Sequence, residues 1–202
     1  MATSSFTKSG IRRMKTLYIE RSTGECRDGK WVEQLDLSEV ERIVVGTGPG
    51  SFAGIRSALA FAQGYALGKK CEVLGLPSAC ACAAQVFSAA ANGIGHQAQS
   101  TNLAVVGDAR QGKMWIALFD GYSLEKDVYQ VNKEDLLGSV PTDCQVTTPD
   151  AKRIDEFLRQ TFADRYLGGQ TPTSEGLRIF AEACPSILKP EPLPIYLNPA
   201  VR

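Results

Sequence analysis

The residues best placed to do chemistry in this 202-residue chain lie in the stretch IVVGTGPGSFAGIRSALAFAQGYALG, residues 43–68. An apolar run leads into Gly46, Gly48 and Gly50, and a helical pattern starts at Ser51. A strand feeding a glycine turn and then a helix N-terminus presents backbone N–H groups to an anion. Two phosphate-binding patterns fit poorly, however. A Walker turn needs a lysine directly after its last glycine. Here Ser51 follows Gly50, and no lysine appears until Lys69. A dinucleotide fingerprint can be laid on Gly48, Gly50 and Ala53, but the only acid about 20 residues on is Glu72. That residue opens the next strand, whereas a ribose-binding acid closes it. The turn is therefore read as backbone architecture: glycines for tight geometry, Pro49 to stiffen it, Ser51 to cap the helix. Phe52 and Arg56, one helical turn apart, share a face.

The remaining candidates are sparse. The single histidine, His96, sits in a polar connector, so neither a metal pair nor a base for Ser51 is evident. The six cysteines include no C-x-x-C pair. Cys80 and Cys82 are two apart in a helical stretch, which sends them to different faces. They are read as free buried thiols in a reducing compartment. Asp108 and Arg110 flank a hairpin turn, and two readings stand: an Asx turn beside a surface arginine, or a binding motif. The expectation is of no catalytic residue, no metal and no cofactor. Lys plus Arg equals Asp plus Glu at 22 each, so no global field gathers nucleic acid or membrane. No apolar run approaches a membrane span, and a cytoplasmic protein is expected.

The elements that must position these residues fall into two α/β groups. Residues 1–13, rich in Ser, Thr, Lys and Arg, are expected to be a disordered extension, with a transit segment as the other reading. Lys15–Glu20 and Trp31–Val32 suggest a small antiparallel pair. Arg42–Val45, a helix over 51–67 and a strand over 71–76 make a right-handed parallel crossover. A second helix opens at Pro77–Ser78 and fades at Asn92–Gly93. The connector NGIGHQAQST marks a lobe boundary, dividing 14–98 from 99–202. Beyond it come a hairpin around Asp108–Gly112, a strand over 127–131 and a short helix capped by Asn132. A strand over 144–147 and helices over TPDAKRIDEFLRQTF and 173–183 complete the chain.

The helix after the glycine turn carries two stripes. Ala53, Ser57, Ala60, Gly64 and Gly68 place small residues on one side. Phe52, Ile55, Leu59, Ala62 and Ala66 form an adjacent apolar stripe. The small stripe packs against the sheet or admits a partner helix.

Three motifs carry a resemblance. GTGPGSFAGIR followed by ALAFAQGYALG is similar to the G-x-G-P-G-S-F-T-G-x-R signature of the TsaB (YeaZ) family, once described as glycoprotease-like. VVGDARQGKMWIALFD resembles that family's I-D-A-R-x-x-E-V-Y hairpin, and PIYLNPAVR its terminal P-x-Y-L-R. The resemblance implies an actin-like ATPase (ASKHA, ribonuclease H-like) α/β fold of two lobes with mixed sheets. It implies a non-catalytic scaffold that binds the transferase TsaD in making N6-threonylcarbamoyladenosine at tRNA position 37. A TsaE-like ATPase and a homodimer are further implied partners, with tRNA met only through the complex. The motif and interface residues so assigned are Gly48, Pro49, Gly50, Ser51, Phe52, Gly54, Arg56, Ser57, Ala60 and Gly64, with Asp108 and Arg110 in the second motif. The alternative is a peptidase or nucleotide hydrolase of the same fold. Ala53 and Lys113 replace the family's usual Thr and Glu, and Glu20-Arg21-Ser22-Thr23 stands where D-T-S is usual. The family's first long helix has no room here, so the first lobe is abridged and nucleotide binding is not carried over.

Overall fold

The computed structural model describes residues 14–23, 30–93 and 101–197. The expected extension over 1–13, Cys26, His96 and the 98/99 lobe boundary lie outside them. In chain order the strands and helices are β1 (Thr16–Ile19), β2 (Arg42–Gly46), α1 (Phe52–Lys69), β3 (Glu72–Leu76), α2 (Ser78–Ala91), β4 (Asn102–Arg110) and β5 (Lys113–Asp120). Then come β6 (Ser123–Leu124), β7 (Tyr129–Asn132), α3 (Leu136–Ser139), β8 (Gln145–Thr148), α4 (Ala151–Phe162), β9 (Tyr166–Gly169), α5 (Ser174–Ala183) and β10 (Lys189–Pro190).

One expectation at the start of the fold is overturned. Residues Lys30–Gln34 form a 3₁₀ turn, not a strand. β1 has no antiparallel hairpin partner there and instead runs parallel to β2, Thr16 beside Arg42 and Ile19 beside Val45. β2 is buried on both faces through Ile43, Val44 and Val45, as a strand of a sheet covered by helices on both sides is, and it has a neighbour at each edge. β1 supplies one and β3 the other, also in parallel. The sequence KWVEQ flanks its two apolar residues with charged and amide groups and cannot fill a sheet face. A smaller correction concerns Asn132. Its side chain makes no cap hydrogen bond and instead donates to the Asp135 carboxylate at 3.0 Å.

Both sheets are mixed. The first has the order β1-β2-β3-β10, with β10 antiparallel to β3. The second has the order β6-β5-β4-β8-β9, with β7 also pairing β5. The hairpin β4–β5 is the expected one, and its turn passes through Arg110, Gln111 and Gly112, all at positive φ.

Side-chain alternation then builds three cores. In β2, Ile43 and Val45 join Ile55, Ala58, Leu59 and Ala62 of α1. Val44, between them, faces the other way and meets α2. In β4, Leu103 and Val105 point to α2 and α5, whereas Ala104 and Val106 pack under α4. This is the period-two geometry of a strand covered on both faces. The layers are α1, first sheet, α2 with α5, second sheet, and α3 with α4. Because α2 is wrapped by both sheets and α5, Cys80 and Cys82 are buried together despite their different faces. Cys71 and Cys184 are only half-buried. The last part of the chain returns to the first sheet, where β10 borders β3 and α5 packs between α2 and β1. No helix of the described residues is long and apolar enough to cross a membrane.

Candidate functional site: the glycine turn and its cleft

The glycine turn is a docking surface for the chain's own backbone. The segment that leaves β1, Glu20 to Thr23, lies directly on it. A Cβ added at Gly46 would stand 1.9 Å from Glu20 Oε2, one at Gly50 2.4 Å from the Ser22 carbonyl oxygen, and one at Gly54 2.1 Å from the Arg21 carbonyl oxygen. No side chain fits at those distances. Gly48 has φ +92°, a conformation that favours glycine, and is followed by a cis Gly48–Pro49 bond.

The N–H groups of this turn are engaged within the protein. Ser51 N–H donates to the Ser22 carbonyl at 2.5 Å. Gly54 N–H donates to the Ser51 hydroxyl at 3.3 Å, the expected cap. Gly48 N–H donates to the Ser78 hydroxyl at 3.0 Å, and Ser78 N–H to the Gly48 carbonyl at 2.7 Å. Phosphate recognition at such a turn requires N–H groups that point at the ligand. Here the Ser51 N–H, at the N-cap of α1, already holds a carbonyl oxygen.

Above the turn opens a cleft of about 1190 Å³ between the sheets, walled on one side by Ser22, Thr23 and the glycine turn. The opposite wall is a closed charge network. Asp108 N–H donates to Asp150 Oδ2 at 2.9 Å, and Arg110 N–H donates to Asp108 Oδ1 at 2.8 Å, which makes Asp108 an Asx turn. Arg153 bridges the two acids, with Nε 3.1 Å from Asp108 Oδ2 and Nη2 on Asp150 Oδ1. Arg110 Nη1 lies 3.4 Å from Asp108 Oδ2. Two carboxylates thus face two guanidinium groups. Burial pushes the Asp150 carboxyl above its ordinary value, opposed by the Asp108 N–H and by Arg153. Asp150 and Arg153 were not singled out in the sequence, although an acid three residues before an arginine at a helix start was visible there.

The structure separates the two stripes of α1. The small stripe faces outward: Ala53, Ser57, Ala60, Gly64 and Gly68 are exposed, and a Cβ at Gly64 or Gly68 would meet nothing within 4 Å. Packing of this stripe against the sheet is therefore excluded. Phe52, grouped with the apolar stripe, is also outside, 56% exposed. Arg56 lies over its ring at 4.9 Å, and the Tyr196 ring packs against it at a tilt of 37°, centroids 5.4 Å apart. Leu67 at the far end is 88% exposed. The terminal motif is held nearby, with Ile195 N–H donating to the Thr47 carbonyl at 2.9 Å. The sequence thus brings its first and last motifs together, while Asp108 and Arg110 stand across the cleft.

Over residues 32–164 the sequence matches the family described as "TsaD: tRNA N6-adenosine threonylcarbamoyltransferase". The chain belongs to that family. No curated protein matches it. Among solved structures it is similar to YeaZ from Pseudomonas aeruginosa, with TM-score 0.60 and 19% identity over 84% of this chain and 80% of that one. It is equally similar to an uncharacterized protein from Pseudomonas aeruginosa with similarity to peptidase YEAZ, with TM-score 0.61 and 19% identity over 85% and 80%. The resemblance to the TsaB (YeaZ) family is thereby upheld, and the fold is the actin-like, ASKHA-type α/β fold. Within this TsaD-family fold β1 pairs directly with the strand that enters the glycine turn, and its exit segment reaches the turn itself.

Glu20 is the residue of that segment which sequence reasoning noted only as a departure. It is partly exposed as a residue, but its Oε1 accepts a hydrogen bond from Ser22 N–H at 2.6 Å and its Oε2 is buried without a hydrogen-bond partner. Its own N–H donates to the Ser174 hydroxyl of α5 at 3.2 Å. Burial raises the affinity of this carboxyl for its proton, with the Ser22 and Ser78 groups opposing.

Proposed function

We propose that this protein is a TsaB-like scaffold that supports a TsaD-type transferase in making N6-threonylcarbamoyladenosine at position 37 of tRNA, and does no chemistry itself. The observation that carries the reading is the outer face of α1. Eighteen residues long, the helix commits Ile55, Ala58, Leu59 and Ala62 to the core and turns Ala53, Ser57, Ala60, Gly64 and Gly68 outward between exposed Phe52 and Leu67. Small residues let a second helix come close, and the flanking apolar side chains supply the contact area. The same face serves a homodimer, with a TsaE-like ATPase joining through the transferase. A cytoplasmic setting follows from this role.

The enzyme alternative, a peptidase or nucleotide hydrolase, finds little support in the cleft. Its acids are neutralised by arginines, and the glycine turn's leading N–H is engaged. The test is co-purification with the TsaD-type transferase of the same organism. A stable complex is expected from the unaltered chain, with capture by Gly64→Leu reduced by roughly tenfold or more. Capture equal for both, or phosphate release when the pure chain is given ATP, would overturn the reading.

A further inference from the structure

The segment Glu20–Thr23 is bound to the rest of the molecule by an unusual combination. Its carbonyl oxygens sit where side chains at Gly50 and Gly54 would be, and one of them accepts the Ser51 N–H. Its first residue is an acid of intermediate exposure whose carboxyl has one oxygen bonded and the other buried and bare. From this geometry we propose that Glu20–Thr23 is a latch over the glycine turn, shut while the Glu20 carboxyl carries a proton and loosened when it ionises.

The surroundings leave an ionised Glu20 poorly served. From β2 it meets Gly46, which has no side chain to offer. From α2 it meets the Ser78 hydroxyl and is felt by the Cys80 and Cys82 thiols, both kept neutral by burial. From α5 only the Ser174 hydroxyl is near, and it is engaged by the Glu20 backbone N–H. In its own segment the Ser22 N–H donates to Oε1 at 2.6 Å, with the Ser22 hydroxyl and the Arg21 N–H beside the carboxyl. A buried carboxylate oxygen left without a hydrogen bond, as Oε2 is, is costly when ionised, and the remedy is either a proton or water. Water reaches Oε2 only if residues 20–23 lift from Gly46, Gly50 and Gly54. That movement releases the Ser22 carbonyl from Ser51 and frees the Ser51 N–H, at the N-cap of α1, toward the cleft. The direction of the proton affinity given above agrees with this.

The experiment follows two nuclei in one sample of the full chain. The side-chain carboxyl carbon of Glu20 is titrated by NMR, and the protection factor of the Ser51 amide is measured by hydrogen exchange at each pH. Glu20 is expected to keep its proton well above the pH at which the exposed glutamates lose theirs. Ser51 protection should fall by about tenfold or more across the same midpoint. In Glu20→Gln, whose side chain cannot ionise, Ser51 protection should stay flat with pH. Should that variant fail to fold, the coincidence of the two midpoints in the unaltered chain decides alone. Ionisation of Glu20 in the ordinary range, Ser51 protection indifferent to it, or an equal fall in Glu20→Gln would overturn the latch.

Discussion

The two walls of the cleft are held by opposite means. On the first, the glycine turn is joined to residues 20–23 largely through backbone atoms, which meet because side chains are missing at Gly50 and Gly54. On the second, the hairpin and the start of α4 are joined by Asp108, Asp150, Arg110 and Arg153, through charges on side chains that are present. A wall made by absence tolerates no added atom and has no charge for salt to screen. A wall made of half-exposed ion pairs tolerates size changes but answers to charge and ionic strength.

The largest effect should come from breaking the first wall. Gly54→Ala puts a methyl group 2.1 Å from the Arg21 carbonyl oxygen, which belongs to backbone and not to a flexible tip. A loss of about 3 kcal/mol in denaturant unfolding is expected, insensitive to salt. A loss under half that would mean the segment lifts easily and the wall is soft.

The second wall should cost less. Asp150→Ala removes the acceptor of the Asp108 N–H and one partner of Arg153, for about 2 kcal/mol, and the penalty should shrink as salt is raised. Its pH dependence has a worked sign. The folded Asp150 carboxyl binds its proton more tightly than the ordinary value of 3.8. Its contribution to stability is therefore greatest below that value and declines as pH rises through the folded value. The decline should vanish in Asp150→Asn, measured by melting from pH 3 upward. A steeper decline in the variant would reverse the assignment of burial as the dominant cause.

Smallest in stability should be Gly64→Leu on the outward face of α1, where an added Cβ meets nothing within 4 Å. Unfolding should change by no more than about 0.5 kcal/mol, although the same substitution is the one chosen to block a partner. A large loss of stability would place the stripe inside after all.

Much of this arrangement was legible in the sequence, because it rests on local signals. The apolar run into glycines, the Ser51 cap and the periodicity of α1 gave the strand, turn and helix. The alternation around Asp108–Gly112 gave the hairpin. What stayed hidden depends on partners far along the chain. β1 reads as a strand from its own residues, but its parallel pairing is with β2, more distant in the chain than the segment a hairpin would use. β9 and β10 are four and two residues long and carry glycine or proline, too little for a pattern. Periodicity set the small stripe of α1 beside the apolar one without saying which looked out. Nothing local marked the Glu20 carboxyl as turned inward, since an acid after a strand is ordinarily a turn residue.

The return of α5 and β10 to the first sheet has a consequence for the order in which the molecule is made. As the chain leaves the ribosome, β1, β2, β3 and α2 emerge first. Yet β3 lacks its edge neighbour and α2 lacks one of its covering helices until residues 174–190 follow. The apolar side of α2 must wait, uncovered, through the synthesis of the second sheet. A ribosome that stalls after α4 would hold a nascent chain with that surface bare, and early departure of such a fragment would favour aggregation over folding.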